Sequence, residues 1–249
     1  MPDSQMGNTT CLTWLDVLTY KTILYRCTIL GHHRRETMLK ADSGSDWRDG
    51  FLFVGNHPAL DFLNTRPVLS GEEPTELLPD FAALLRWFRA ANMLGPHEAS
   101  ELWRQWGESE RARRALDSLH QLREKFRKEV IKYEAGGNVQ RATIEEINKL
   151  MASHPIRTRL IVTEEGFTTE AYCDPREPEG LLGPVAYIIA ALFADLDRTK
   201  IRKCSNCVLH FYDTSKKGTR RWCSMQMCGN RAKVAAYAAR HRRVRRGNS

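Results

Sequence analysis

Apolar side chains recur every three or four residues through much of residues 81–196, a spacing that predicts helices with one buried face. The segment 81–94 follows an N-cap residue, Asp80, and stops at a Gly-Pro pair. A second helix is predicted over 97–106. These two segments are expected to open a helical body.

The longest apolar stripe begins after Ser109 and ends at the Gly-Gly pair 136–137. Its members share one helix face: Leu116, Leu119, Leu122, Phe126, Val130 and Tyr133. A shorter helix is predicted over 143–153, opened by a capping box of Thr143 with the glutamate three residues later. Residues 181–196 are so apolar that they should form a helix buried against the long stripe.

Two other segments have strand or turn patterns. Residues 157–163 and 167–173 are predicted to form a β-hairpin with Gly166 in its turn. Residues 51–65 contain two short apolar runs around a turn at 55–58.

Four cysteines fall within 25 residues in two close pairs, Cys204 with Cys207 and Cys223 with Cys228. This spacing is typical of a tetrathiolate zinc site. Four thiolates complete the coordination of one Zn²⁺ and leave no position for water, so the site is predicted to be structural. His210 is expected to be a surface or half-buried side chain rather than a ligand.

The residues around these cysteines predict a treble-clef-like finger, in which a knuckle and a hairpin are followed by a helix. The hairpin is expected to pair a strand over 208–212 with a return strand over 220–222, and the helix to run over 229–246. The apolar side chains expected to face the hairpin are Val234, Ala235, Tyr237 and Ala238.

The predicted fold is therefore mainly α with a small β-hairpin (α+β), a helical N-terminal body followed by a treble-clef-like zinc finger. The expected divisions are an N-terminal extension over 1–50, the body over 51–197 and the finger over 198–249. Met38 is a candidate true start of translation, with a genuine extension as the alternative.

Charge is distributed unevenly between body and finger. The chain has 38 Lys and Arg and 30 Asp and Glu, a net charge of +8. Residues 198–249 hold fifteen of the basic residues and one acid, Asp213, which leaves 23 basic and 29 acidic residues over 1–197. The net charge is thus +14 in the finger and −6 over 1–197.

A dense cationic surface favours a phosphate backbone as its partner, and DNA is the expected one. The candidate nucleic-acid contacts are Lys216, Lys217, Arg220, Arg221, Arg231, Lys233, Arg240, Arg242 and Arg243. Arg231 has a structural alternative, an ion pair with Asp213. The alternative function is a zinc-stabilised module that binds RNA or another protein.

Other classes are disfavoured. The chain shows no clean signal peptide, and we expect no membrane partner. The three remaining cysteines are scattered, which favours a reducing cytoplasm over a disulfide scaffold. The body has no Gly-rich phosphate loop or His-Glu-x-x-His motif, so we expect a protein that is not an enzyme. A homodimer is plausible because one small finger reads a short site.

Asp61 and Asn64 are polar residues inside an apolar run of the body. One hypothesis places them in a pocket for a small-molecule effector, with His57 and Arg66 nearby. The alternative is that they cap and brace buried main chain.

Two motifs carry a family resemblance. Residues 223–233, CSMQMCGNRAK, resemble the CGNR zinc finger, named after the tetrapeptide found here at 228–231. Residues 60–65, LDFLNT, are similar to the ABATE domain that usually precedes this finger, and the resemblance covers about residues 51–242. It implies a bacterial, stress-induced transcriptional regulator whose finger binds DNA and whose four clustered cysteines bind zinc. Many relatives have a longer loop between the first two cysteines, a difference expected to alter the surface beside the knuckle.

Overall fold

The computed structural model describes residues 46–67, 73–164, 166–173 and 175–247, with side chains as far as residue 238. Met38 and residues 1–37 therefore lie outside the described residues. The strand pair around 158–171 belongs to one compact unit and the remaining described residues to another, and each unit is considered by itself.

The described chain is mainly helical, as the apolar periodicity predicts. Its α-helices are α1 (Pro58–Leu63), α2 (Phe81–Ala90), α3 (Pro96–Trp106), α4 (Glu110–Glu134), α5 (Arg141–Ser153), α6 (Leu182–Asp195) and α7 (Asn230–Gly247). The N-cap expected at Asp80 is confirmed, since its side chain accepts a hydrogen bond from Ala83 N at 2.7 Å. Helix α4 begins after Ser109 as expected, and the Ser109 hydroxyl accepts from Ala112 N at 3.1 Å.

The capping box expected at Thr143 is wrong. Helix α5 starts two residues earlier, and the Thr143 hydroxyl donates instead to the buried carboxylate of Glu129 at 3.4 Å. Glu146, the expected partner, binds Lys125 at 2.6 Å. Contacts with helix α4 therefore replace the local cap.

The strands of the described residues form three two-stranded sheets. They are β1 (Trp47–Arg48) with β2 (Phe51–Leu52), β3 (Arg157–Thr163) with β4 (Gly166–Tyr172), and β5 (Ile201–Lys203) with β6 (His210–Tyr212). The turn between β1 and β2 has φ of 50° at Asp49 and 80° at Gly50, the two positive values of a type I′ turn. The pair β3–β4 matches the predicted hairpin.

The return strand expected over 220–222 is wrong. Strand β6 pairs antiparallel with β5, with Ile201 opposite Tyr212 and Lys203 opposite His210, and residues 220–222 are irregular in the described chain. The hairpin of the finger therefore closes around the first cysteine pair.

The core of the body includes buried residues of helix α4 and helix α6, as the long apolar stripe predicts. The rings of Phe126 on α4 and Phe193 on α6 meet edge to face with centroids 5.7 Å apart. The segment Pro178–Asp195 is long and apolar enough to cross a membrane, but half of it is buried inside the protein. A buried core helix has the same length and composition, so no membrane role follows.

A buried ion pair ties a loop to this core. The guanidinium of Arg123, fully buried on α4, binds both carboxylate oxygens of Glu76 and donates to the Thr65 hydroxyl at 2.8 Å. Burial opposes the charge of Glu76, but the hydrogen bonds from Arg123 and from Leu78 N hold its pKa below the ordinary value. The pair fixes residues 76–78 against α4.

Candidate metal centre

The four clustered cysteines, Cys204, Cys207, Cys223 and Cys228, are all buried, and their sulfur atoms lie within 4.8 Å of one another. The Cys207 and Cys223 sulfurs are 3.4 Å apart, and those of Cys223 and Cys228 are 3.7 Å apart. Four sulfurs at about 2.3 Å from a tetrahedral Zn²⁺ would be about 3.8 Å apart. The cluster therefore fits one structural zinc ion.

The first cysteine pair sits in the turn that joins β5 to β6. Cys204 N donates to Leu209 O at 2.8 Å and closes the turn. The main-chain N–H groups of Asn206 and Leu209 donate to the sulfurs of Cys204 and Cys207, an orientation suited to thiolates that bind a metal ion. The turn places Val208 at φ 56°, a left-handed conformation that is rare for a β-branched residue.

The second pair is held by a tight helical turn, Met225–Gly229, that leads into α7. The Ser224 hydroxyl accepts hydrogen bonds from Gln226 N and Met227 N at the start of that turn. A Cβ atom on Gly229 would lie 2.6 Å from the Met225 sulfur, so a larger residue here would force Met225 to move.

The thiols are electrostatically coupled. Hydrogen bonds from Cys207 and Cys223 hold the pKa of Cys204 far below its ordinary value. The contact with Cys204 raises the pKa of Cys207 to about 12, and contacts with Cys204 and Cys207 raise that of Cys223 still further. A bound Zn²⁺ would supply the positive charge that allows all four sulfurs to be thiolates.

The core of the finger includes a segment of the body, a contact that sequence reasoning missed. Leu52 and Val54 pack with the cysteines and Phe211, whereas their neighbours Phe51 and Phe53 pack into the body core. Alternate side chains of this extended segment thus point to two different cores. Its unbroken apolar run, FLFV, was the available signal, because it indicates burial on both faces.

Asn64 joins the body to the finger. Its side-chain amide donates to His210 O at 2.8 Å and its side-chain oxygen accepts from His210 N at 3.1 Å. Both residues are buried. Beside them, Tyr212 N donates to Gly55 O at 2.8 Å, and the Asn56 side chain donates to Tyr212 O at 2.8 Å. Strand β6 is therefore held from one side by β5 and from the other by the body.

The other residues of the candidate effector pocket have separate roles. Asp61 is buried, and its carboxylate accepts from Gly55 N at 2.8 Å. His57 is the N-cap of α1, where its ring accepts from Ala59 N at 3.2 Å and burial lowers its pKa to about 4. Arg66 alone of the four lines the cleft described below. The contacts of Asp61 and Asn64 have the geometry of the alternative in which these residues brace main chain.

His210 is buried rather than half-exposed, with 2% of its surface accessible. It lies outside the cysteine cluster, and its ring is 3.5 Å from the carboxylate of Glu134 on α4. Burial opposes the charge of Glu134, but the nearby His210 ring and a hydrogen bond from Lys203 N hold its pKa below the ordinary value. Glu134 thus gives the body a further contact with the finger.

Most candidate nucleic-acid contacts with described side chains are exposed: Lys216, Lys217, Arg221, Arg231 and Lys233. Arg220 instead is half-buried, and its guanidinium donates to the main-chain oxygens of Trp222 and Cys223. The remaining candidates, Arg240, Arg242 and Arg243, lie on α7 with side chains outside the described residues.

The ion pair considered for Arg231 is wrong. Asp213 is fully buried, and its carboxylate accepts from Ser215 N at 2.9 Å and Arg220 N at 2.8 Å. Helix α7 also differs from expectation, because Val234 and Tyr237 are 68% and 59% exposed rather than packed on the hairpin.

Comparison with known families now identifies the body. The family model ABATE, described as "putative stress-induced transcription regulator", matches residues 56–196, which is more than half of the chain. The chain belongs to the ABATE family. C-terminal to the ABATE match, a CGNR zinc finger model matches residues 200–241. A search of curated proteins found no match to the chain.

These matches confirm the resemblance carried by residues 60–65 and 223–233 of this ABATE protein. Together with the four buried sulfurs, they support a regulator that binds one structural zinc ion. Neither family is described as an enzyme family.

Proposed function

We propose that this protein is a DNA-binding transcriptional regulator whose zinc finger contacts the duplex. The observation that supports this proposal most strongly is that the described surface of the finger carries charge of one sign, positive. Asp213 is the single acid of residues 198–249, and it is buried and bound to main-chain amides. The described surface of the finger therefore presents cations, with no carboxylate of its own to neutralise them.

Helix α7 supports the same proposal. It is 18 residues long, and its side chains over 230–237 are exposed apart from the half-buried Ala232. A cationic helix with so little packing on its own protein has the dimensions and charge to enter the major groove of DNA. We propose that α7 enters the groove while Lys216 and Lys217 bind the phosphate backbone.

The test is a titration of the zinc-loaded protein with duplex DNA by fluorescence anisotropy over a series of salt concentrations. If about six cations contact phosphates, log K falls with log[salt] at a slope near −5. A slope flatter than about −2, or no binding at low salt, would refute the proposal. Single-stranded RNA and an acidic peptide are titrated in parallel, and tighter binding of either than of DNA would favour the alternative module.

A charge-reversal pair identifies the surface. Lys216→Glu with Lys217→Glu should weaken DNA binding at least about tenfold and flatten the salt slope by about 2, since each lysine releases about one counterion. The matched control is Lys128→Glu with Lys149→Glu, two exposed lysines of the body. Equal losses in both double variants would mean that net charge, rather than the finger surface, sets the affinity.

Three finer parts of the proposal accompany it. We propose that the protein acts in the cytoplasm, where zinc-bound thiolates persist, and that it binds DNA as a homodimer, because two fingers read a longer site. Sedimentation of the protein with and without duplex checks the dimer, and a monomer on a saturated duplex contradicts it.

We also propose that the body senses a small-molecule effector.

A further inference from the structure

A cleft of about 230 Å³ lies where the body meets the finger. Its lining residues come from both parts: Arg66, Pro74, Glu124, Arg127 and Ile131 from the body, and Lys203, Val208 and His210 from the finger. A molecule bound in the cleft would therefore contact both helix α4 and the knuckle that holds the first cysteine pair.

The lining is predominantly cationic. Arg66, Arg127 and Lys203 face a single lining carboxylate, Glu124. Glu124 is shared, at 3.5 Å from Arg66 and 3.2 Å from Arg127. Glu134 lies near His210 and the Lys203 amide but does not line the cleft. The lining thus has a charge of +2, which favours an anion.

Two side chains of the lining have buried polar atoms without a hydrogen-bond partner among the described residues, the ring of His210 and one carboxylate oxygen of Glu124. Neither ring nitrogen of His210 has a hydrogen-bond partner among the described residues. Arg127 donates to Leu63 O and Glu124, and desolvation by burial lowers its pKa. An anion that accepts from Arg127 and from the ring N–H of His210 would supply hydrogen bonds in place of those lost on burial.

The rest of the lining is apolar. Ile131 and Val208 are large side chains that are 50% and 39% exposed, and Pro74 lies beside them. A cavity of about 150 Å³ lined by apolar groups accommodates benzene, so this cleft has room for a ring that carries one carboxylate. Val208 holds its place in a strained left-handed conformation, and strain of this kind is concentrated at binding sites.

We propose that this cleft binds a small organic carboxylate, with its charged group among Arg66, Arg127 and Lys203 and its apolar part against Ile131 and Val208. Binding would fix the knuckle relative to α4 and so alter the position of the DNA-binding surface. This regulatory consequence rests on the proposed DNA-binding function, whereas ligand binding itself does not.

The probe is benzoate, titrated by NMR into the zinc-loaded full-length protein, with benzyl alcohol and inorganic phosphate as partial mimics. Saturable binding of benzoate is expected, at least about fivefold tighter than either mimic, because each lacks the charge or the ring. Binding as tight for phosphate as for benzoate would overturn the apolar half of the proposal.

Two variants locate the binding site without substituting a residue of the buried core. Ile131→Glu places a carboxylate in the cleft and Lys203→Gln removes a cation, so each should weaken benzoate at least about fivefold. The matched controls on α5, Ile144→Glu and Lys149→Gln, should bind benzoate like the wild type, since both positions are exposed and do not line the cleft. No saturable binding, or equal binding in test and control variants, would overturn the proposal.

Anisotropy with and without saturating benzoate then separates the two functions. A change in DNA affinity that Ile131→Glu abolishes would support regulation through the cleft. Benzoate binding without any change in DNA affinity would overturn the regulatory part alone. Absence of DNA binding in any condition would refute the proposed function and leave the ligand site standing.

Discussion

The body and the finger have cores of opposite kinds. Among the described residues, 27 buried apolar residues of the body, from helices α1 to α6 and their neighbours, pack into one cluster together with Ile201 of the finger. In the finger, the buried cluster has eight residues, of which four are the cysteines and two, Leu52 and Val54, precede α1. The finger's own apolar side chains in that cluster are thus reduced to Leu209 and Phe211.

This difference shows where each part gets its stability. Burial of apolar surface is sufficient to fold a domain the size of the body, whereas two apolar residues and a hairpin of three-residue strands are not. The finger depends on zinc, on Leu52 and Val54, and on the amide of Asn64. Body and finger match separate family models, yet the helices of the body and the finger belong to one compact unit.

Zinc removal is expected to have the largest effect, because a structural site of this kind supplies roughly 10–16 kcal/mol of apparent binding free energy. Chelation, or Cys207→Ser, should unfold the finger and leave the body helical. Hydrogen exchange measured by mass spectrometry should show lost protection over 200–229 and retained protection in α4 and α6.

Cys173→Ser is the control for that experiment, since Cys173 is half-buried and lies outside the cysteine cluster. It should leave zinc content and protection of the finger unchanged. If the finger keeps its protection after complete zinc removal, the contrast between the two cores is wrong.

The second prediction concerns the body alone. Arg123→Met removes a buried guanidinium from its pair with Glu76 and should lower the free energy of unfolding by about 3–5 kcal/mol. Thermal unfolding measures the loss, and Arg113→Met, which breaks an exposed pair on the same helix, should cost less than about 1 kcal/mol. Zinc affinity should hardly change.

The pH dependence of this variant has a definite sign. Because the pKa of Glu76 is lowered in the folded protein, its stabilisation is present above the ordinary carboxyl pKa and is lost as pH falls through the lowered value. Arg123→Met should therefore show a smaller loss of stability on acidification than the wild type. An equal loss would mean that the pair does not govern this titration.

The third prediction tests whether the finger core depends on the body segment. Leu52→Ala deletes a fully buried side chain and should cost about 3 kcal/mol, which would weaken zinc binding about 100-fold if finger folding and metal binding are coupled. Leu78→Ala removes an equally buried leucine from the body core. It should lower the melting temperature with little effect on zinc affinity, and similar zinc affinities in the two variants would contradict the shared core.

The fourth prediction concerns the joint. Asn64→Ala leaves the N–H and C=O of His210 buried without their partners and should cost about 2 kcal/mol, seen as a lower melting temperature and faster exchange in β6. Asn56→Gly removes an exposed contact to the same strand and should cost much less. An Asn64→Ala protein with normal stability but no ligand response would instead support the effector pocket first considered around Asn64.

Much of the body could be predicted from local pattern. The stripe from Leu116 to Val130 predicted α4, and Asp80 and Ser109 indicated where two helices begin. Both features could be predicted because a helix face and a helix cap depend on residues that are close in the sequence. The capping box at Thr143 failed because Glu129, on another helix, competes for the hydroxyl.

The metal ligands could also be predicted from local pattern, because the two cysteines of each pair are close in the sequence. The contacts of Asn64 were not, because its partner His210 is 146 residues away and no periodicity connects them. Strand β5 was also missed, because three residues, Ile-Arg-Lys, are too short to show alternation. The division of the chain at residue 197 stays a prediction.

The smallest expected effect is a gain, and it separates stability from binding in the finger. Val208 occupies a left-handed conformation that costs a β-branched residue about 1–2 kcal/mol, part of which Val208→Gly should recover as about 0.5–1 kcal/mol of stability and a two- to fivefold higher zinc affinity. Val208→Ala keeps a Cβ at the same positive φ and should gain less. The same glycine removes an apolar wall of the cleft, so benzoate should bind more weakly as zinc binds more tightly. If Val208→Gly raises zinc affinity and lowers benzoate affinity, the strain at Val208 serves ligand binding. A loss of stability in Val208→Gly would show that the left-handed turn is not strained.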